Sequence, residues 1–203
     1  MKMFLKTHLC PNFRFFCLLL FRSQLKGAMT EHIHALKVGD TIQMKGPIPK
    51  FPYKANEFEH IGMIAGGSGI TPMWQVIQDI ASNKADKTKV TLIYTNKTEQ
   101  DILLREQFDK LAAQDSRFKV IYGLERLPEG FKGSSGVFEG YVTPEIINGH
   151  LPQPGLADKI RVLVCGPPAQ VEAIAGNKVK DQQGPLKGLL ADAGYQSDQI
   201  YKF

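Results

Sequence analysis

An α/β fold built on a mostly parallel sheet is predicted for residues 56–203, preceded by the remnant of a β-barrel, and three observations predict it. Short apolar runs recur at 61–65, 90–95, 118–124, 160–165 and 199–203. Segments with helical spacing and helix-start chemistry separate them, and strands alternating with helices imply crossover connections and parallel pairing. A glycine-rich turn joins the first run to the first helix. At 203 residues the chain suits one full domain plus a fragment better than two complete domains.

Residues 1–26 do not share this pattern. Phe13, Phe15, Phe16, Leu18, Leu19, Leu20 and Phe21 stand among Lys2, Lys6, Arg14, Arg22 and Lys26 with no acidic residue, a composition like that of a targeting segment. The apolar run 15–21 is far shorter than the roughly 20 residues that cross a bilayer, and no small-residue cleavage site follows. The favoured reading is sequence foreign to the fold, such as translated non-coding sequence joined to a truncated reading frame; membrane association through this segment is the alternative. Residues 27–55 read as short strands: Val38-Gly39-Asp40 makes a turn, residues 41–44 alternate, and Gly46-Pro47 ends the run. The boundary falls between residues 53 and 59.

In the α/β part, Thr71 is the expected N-cap of the first helix with Pro72 at its first position. Thr98 caps the second, with Asp101 three residues on and Leu104, Phe108 and Leu111 at helical spacing. Thr143-Pro144 starts a third by the same logic, residues 169–175 form another, and a last helix at 186–193 ends at Gly194.

Composition excludes several classes of function. With 43% hydrophobic and 22% charged residues the chain is neither disordered nor a polytopic membrane protein. Its charge of +5 comes from scattered lysines, which makes no nucleic-acid footprint but suits an acidic protein partner. Cys10, Cys17 and Cys165 lack the spacing of a disulfide framework or a zinc site.

Two turns carry the chemistry. In Ala65-Gly66-Gly67-Ser68-Gly69-Ile70-Thr71-Pro72-Met73, glycines let a phosphate approach the backbone, helix N-terminal N–H groups stabilise a pyrophosphate, and Ser68 and Thr71 add hydroxyls. Pro72 replaces the third glycine of a Rossmann fingerprint. A P-loop lysine is absent, and Ile70 stands where a nucleophile elbow needs glycine. The second turn is Cys165-Gly166-Pro167-Pro168, which lies beside the first if the two strands are neighbours. Cys165 reads either as a small buried hydrophobe or as a thiol nucleophile in want of a base, which His60 or His150 would have to supply.

These two turns, together with Thr98-Glu99-Gln100-Asp101-Ile102-Leu103-Leu104-Arg105, resemble in order and spacing the NADH-cytochrome b5 reductases, a flavin-linked branch of the ferredoxin-NADP reductase superfamily. The resemblance runs from about Gly27 to Phe203. It implies a ferredoxin-reductase-type NAD-binding domain, with NADH and FAD as cofactors and cytochrome b5, or a similar small acidic haem protein, as acceptor. It also implies that Gly66, Gly67, Ser68, Gly69, Thr71 and Pro72 hold the NADH pyrophosphate, with Thr71 near the flavin edge. Cys165, with Gly166 and Pro167, lies where hydride leaves the nicotinamide, so Cys165 and Thr71 are the candidate catalytic residues.

Tyr122-Gly123-Leu124-Glu125-Arg126 matches the family segment whose acidic residue meets the adenosine ribose. Glu125 then accepts from the 2′-OH and repels a 2′-phosphate, favouring NADH over NADPH. Lys26-Gly27-Ala28-Met29-Thr30 resembles the family's FAD-contacting loop, which makes Gly27, Met29 and Thr30 flavin candidates. The family's Arg-x-Tyr-Ser/Thr flavin motif is absent. A truncated, non-catalytic NADH-binding fragment is therefore the alternative to a working reductase, and a Ser68 or Cys165 hydrolase a third reading. The tail 195–203 resembles fungal mitochondrial outer-membrane members, so that location is expected, with the endoplasmic reticulum or cytosol as alternatives.

Overall fold

The computed structural model describes residues 28–37, 39–43, 50–133 and 135–203. Two compact units divide the chain, Met1–Pro49 and Lys50–Phe203. The boundary expected at 55/56 thus lies several residues earlier, because residues 50–56 are bonded to the second unit. Tyr53 Oη donates to Asp86 Oδ2 at 2.6 Å, and Asn56 Oδ1 accepts from the Lys87 N–H at 2.7 Å.

In the first unit the described residues form one helix, α1 (Ala28–Ala35), and no strand. The barrel strand expected at 41–44 is absent over its described part, residues 41–43. A lone strand has nothing to satisfy its backbone donors and acceptors, whereas a helix satisfies its own. Met29 and Thr30 lie in α1, and Gly27 lies outside the described residues.

The second unit is a six-stranded sheet in the order β4-β3-β2-β1-β5-β6, with every pairing parallel. The strands are β1 (His60–Gly66), β2 (Lys89–Asn96), β3 (Phe118–Leu124), β4 (Val137–Glu139), β5 (Ile160–Cys165) and β6 (Ile200–Lys202). In β1 every residue after His60 is buried, as both faces of a parallel sheet require. On one face Ile64, Ile93, Ile121 and Val164 join Ile147 of α4 (Pro144–His150), Ile174 of α5 (Pro168–Ala175) and Leu190 of α6 (Gly188–Asp192). On the other, Tyr94 meets Phe108 of α3 (Arg105–Gln114), which in turn packs edge-on against Trp74 of α2 (Ile70–Ser82) at 5.0 Å. Phe108 is fully buried, and truncating such a ring to alanine costs about 3–5 kcal/mol.

The five expected strands and the Thr143 cap are present, the latter with the Thr143 hydroxyl accepting from the Ile146 N–H. The sequence reading missed β4, three residues at the sheet edge with only Phe138 buried and so no apolar run to detect. The helix expected from Thr98 is two pieces. Thr98 and Asp101 do form a capping box, but it opens a 3₁₀ turn (Glu99–Asp101), and α3 begins only after Leu104, whose φ of 60° breaks the run. The Tyr94 hydroxyl accepts the Leu103 N–H at 3.2 Å, so this break is anchored to the sheet. The last helix is shorter than expected and starts at Gly188; Gly194 follows it with φ 87°.

Candidate functional site

From β1 the chain moves outward through β2, β3 and β4, then returns to place β5 on the other side of β1. Carboxyl ends of strands at such a reversal diverge and leave a crevice, the usual ligand position in open α/β sheets. The two turns singled out in the sequence both stand there, because Ala65 is in register with Cys165.

Gly66 closes β1, Gly67–Gly69 make a 3₁₀ turn, and α2 begins at Ile70. Thr71 and Pro72 are therefore the second and third residues of α2, not its N-cap and first position. The glycine turn already has helical geometry at Gly69 (φ −62°, ψ −6°), and the Ile70 N–H donates back to Gly67 and Ser68 carbonyls. Pro72 still falls within the first turn, where its missing N–H costs no helical bond. Thr71 is exposed and its hydroxyl donates to the Ser68 carbonyl at 3.1 Å. Gly67 has φ 51°, and a Cβ built there meets nothing within 4 Å, so its backbone faces open space. By contrast, a Cβ on Gly69 would stand 2.3 Å from the Cys165 carbonyl oxygen, so only glycine allows the two turns to close on each other.

These features fit a bound pyrophosphate. The 13-residue helix α2 opens with no side-chain cap and no acidic residue in its first turn, leaving its positive end available to an anion.

Cys165 is half-buried and unpaired. Burial raises its pKa, partly opposed by the nearby Lys178 cation, so it is a neutral thiol at pH 7. His60 cannot serve as its base. It lies at the opposite end of β1, six rises or about 20 Å from Gly66. There it bonds Thr91 Oγ1 at 2.9 Å, and burial, with Lys89 and Lys119 nearby, lowers its pKa to about 4. The geometry leaves the thiol-nucleophile reading without a partner in His60.

Glu125 is exposed just beyond β3 and, with Lys97, Glu99, Gln100 and Arg126, lines an open pocket of about 440 Å³. It is not beside Cys165. From β5 across β1 and β2 to β3 is three strand spacings, about 14 Å, so a single ligand reaching both must be extended along the carboxyl edge.

Three residues at this edge, Tyr94, Thr95 and Gln170, escaped the sequence reading, and a fourth, Arg105, was read only as part of the Thr98–Arg105 segment. Tyr94, fully buried, donates to the Gly67 carbonyl at 3.1 Å and so supports the glycine turn from below; burial pushes its pKa up to about 12. Thr95 and Gln170 bond each other at 2.9 Å beneath the crevice. Arg105 pairs with Glu99, donates to the Lys132 carbonyl at 3.2 Å and stacks on Phe131 at 4.5 Å, holding the segments before and after the Glu125 pocket. The only available signal was a tyrosine and a threonine closing an otherwise apolar strand.

The oxidoreductase NAD-binding domain model matches residues 63–176, and the oxidoreductase FAD-binding domain model matches residues 10–53, beginning inside the segment whose composition looked foreign. NADH-cytochrome b5 reductase 2 of Mycosarcoma maydis is 69% identical over 178 residues, covering 87% of this chain and 50% of that protein. The protein of the same name from Emericella nidulans is 45% identical over 87% of this chain and 54% of its own length. This chain thus spans about half the length of the curated relatives it matches. The cytochrome b5 reductase domain of Ulva prolifera nitrate reductase superposes with a TM-score of 0.70 at 32% identity, over 87% of this chain and 66% of that one. The CS-b5R domains of human Ncb5or, in their NAD+ form, give 0.64 at 26% identity over 91% and 48%. With the NAD-binding model matching more than half of its residues, the chain belongs to the oxidoreductase NAD-binding domain family.

Proposed function

We propose that this chain works in an NADH-cytochrome b5 reductase, in which hydride passes from NADH to FAD and single electrons then pass to a haem protein such as cytochrome b5. The observation that carries the proposal is the placement of the Gly66-to-Pro72 turn against Cys165-Gly166-Pro167 across the β1/β5 crevice. When bound, NADH supplies the hydride, and FAD converts a two-electron donor into a source of single electrons.

The chain's own residues bind and orient. Backbone N–H groups of the glycine turn and the start of α2 stabilise the pyrophosphate, with the exposed Ser68 and Thr71 hydroxyls beside them. The neutral Cys165 thiol and the rigid Gly166-Pro167 turn line the nicotinamide position without placing a charge there. Glu125 accepts from the ribose 2′-OH and disfavours a 2′-phosphate. Gly27, Met29 and Thr30 are assigned to FAD on sequence resemblance and on the FAD-binding match over residues 10–53.

The chain's net charge of +5 suits an acidic haem partner, by raising encounter rates more than affinity. Among the described residues no helix is long and apolar enough to cross a membrane. A mitochondrial outer-membrane location rests on the tail 195–203, since the FAD-binding match over residues 10–53 takes in most of the basic, apolar N-terminal segment.

The test is NADH-dependent ferricyanide reduction by the purified chain with excess FAD, with Cys165→Ala as control. Turnover that falls in the variant supports the reductase reading. NADH binding without turnover would leave nucleotide binding alone to this chain.

A further inference from the structure

The C-terminal ends of β1 and β2 are joined to the turn after β5 by two polar side chains, Gln170 and Thr95. Gln170 lies in the first turn of α5, half-buried, directly after the Cys165-Gly166-Pro167 turn. Its Nε2 donates to Thr95 Oγ1 at 2.9 Å, and Thr95 Oγ1 donates in turn to the Ala65 carbonyl at 3.2 Å. Its Oε1 occupies the space a side chain would need on both facing glycines. It stands 1.9 Å from the position of a Cβ on Gly66 and 2.9 Å from that of one on Gly166. The two backbones leave no room for a side chain between them, since a Cβ on Gly166 would stand 3.2 Å from the Gly66 nitrogen.

We infer that Gln170 is a positioning residue: its carboxamide ties the Cys165 turn to the ends of β1 and β2 and so sets the separation of the two turns facing the nucleotide. This rests on the nucleotide reading proposed above. An apolar side chain of the same length fills the same volume but forms no bond to Thr95. The tie therefore depends on the amide, and Thr95 is its necessary partner. Because a misplacement of about 1 Å at such a site costs as much as 100-fold in rate, a single crossing bond at the floor of the crevice has a large effect on what binds above it.

Full-length chain carrying Gln170→Met, Thr95→Val or both tests this as a double-mutant cycle. Two measurements are made on each protein after its thermal midpoint confirms folding. One is hydrogen exchange of residues 66–69 and 165–166 without ligand. The other is NADH affinity, read by energy transfer from Trp74, the chain's one tryptophan. Each single variant is expected to speed exchange in both turns and to weaken NADH binding about fivefold, the factor for one net hydrogen bond, with the double variant no worse than either. Wild-type behaviour of Gln170→Met in both measurements overturns the inference, because volume alone then suffices. Effects that multiply in the double variant overturn it too, because the two residues then act independently. If exchange changes as expected but the wild-type chain binds no NADH, the tie stands and the nucleotide assignment of the crevice falls.

Discussion

At the amino edge of the sheet, Asp86 is 1% exposed and accepts from the Tyr53 hydroxyl at 2.6 Å, the Thr88 N–H at 3.0 Å and the Asn56 N–H at 3.3 Å. Thr88, fully buried, donates its hydroxyl to the Phe58 carbonyl, and Arg117 binds Asp115 together with the Ile80 and Asp86 carbonyls. At the carboxyl edge, α2 starts uncapped, Ser68 and Thr71 are exposed, and Gly67 faces open space. Polar groups at the first edge are consumed by the fold; at the second, Tyr94, Thr95 and Gln170 are bonded within it too, but the uncapped start of α2 stays open to the anion proposed above. The difference teaches where to look for function in a parallel sheet: at the edge whose donors remain unspent, not at the edge with the densest polar network.

The largest expected effect would break the amino edge without touching the other. Asp86→Ala leaves the buried Thr88 N–H unpaired and removes the main acceptors of Tyr53 and Asn56; it should cost about 3 kcal/mol in urea unfolding, with NADH affinity of the folded protein unchanged. The same group gives a pH dependence. Burial alone raises the Asp86 pKa, but hydrogen bonds from Tyr53, Thr88 and Asn56 outweigh it and hold the carboxyl below its usual range. Its contribution is thus fully present above the unfolded value of about 3.9 and is lost as pH falls through the lower folded value. The gap between the urea midpoints of wild type and Asp86→Ala should narrow as the pH is lowered below about 4.

Gly69→Ala strikes the carboxyl edge where it is closed. Its Cβ meets Cys165 and Gly166 backbone atoms at 2.3 to 2.9 Å, which cannot swing aside as a side chain would. A loss of about 2 kcal/mol is expected, together with NADH binding weakened more than tenfold, as calorimetry would read. Gly67→Ala sharpens the contrast because it strikes where the same edge is open. The left-handed backbone costs about 1 kcal/mol, but the added methyl occupies ligand space, so NADH binding should fall about tenfold, far more than stability implies. Binding that tracks stability in both variants would mean the open space is not a ligand site. The smallest effect belongs to Glu125→Ser, where an exposed side chain keeps stability within about 0.5 kcal/mol while the NADH over NADPH preference narrows. An unchanged ratio of the two affinities would remove Glu125 from that role.

Local order was legible wherever short-range periodicity and capping chemistry act. Strands 118–124 and 160–165 have the bounds expected of them, and Thr143 caps α4 as its place before Pro144 requires. The glycine turn and the Cys165 turn were likewise visible as motifs. What the residues alone determined about this protein is thus its alternating strands and helices and the two turns able to meet a nucleotide. The tertiary structure decided the rest. It broke the helix expected after Thr98 at Leu104, with the Tyr94 hydroxyl accepting the Leu103 N–H, started α2 ahead of Thr71, and added β4 at the edge. Above all it chose the strand order that sets Cys165 beside Gly66 and brings Gln170 to Thr95 across 75 residues of chain. Periodicity and capping act over two to four residues, whereas strand order is chosen by which apolar faces pack together, and that choice leaves no mark in any local run of sequence.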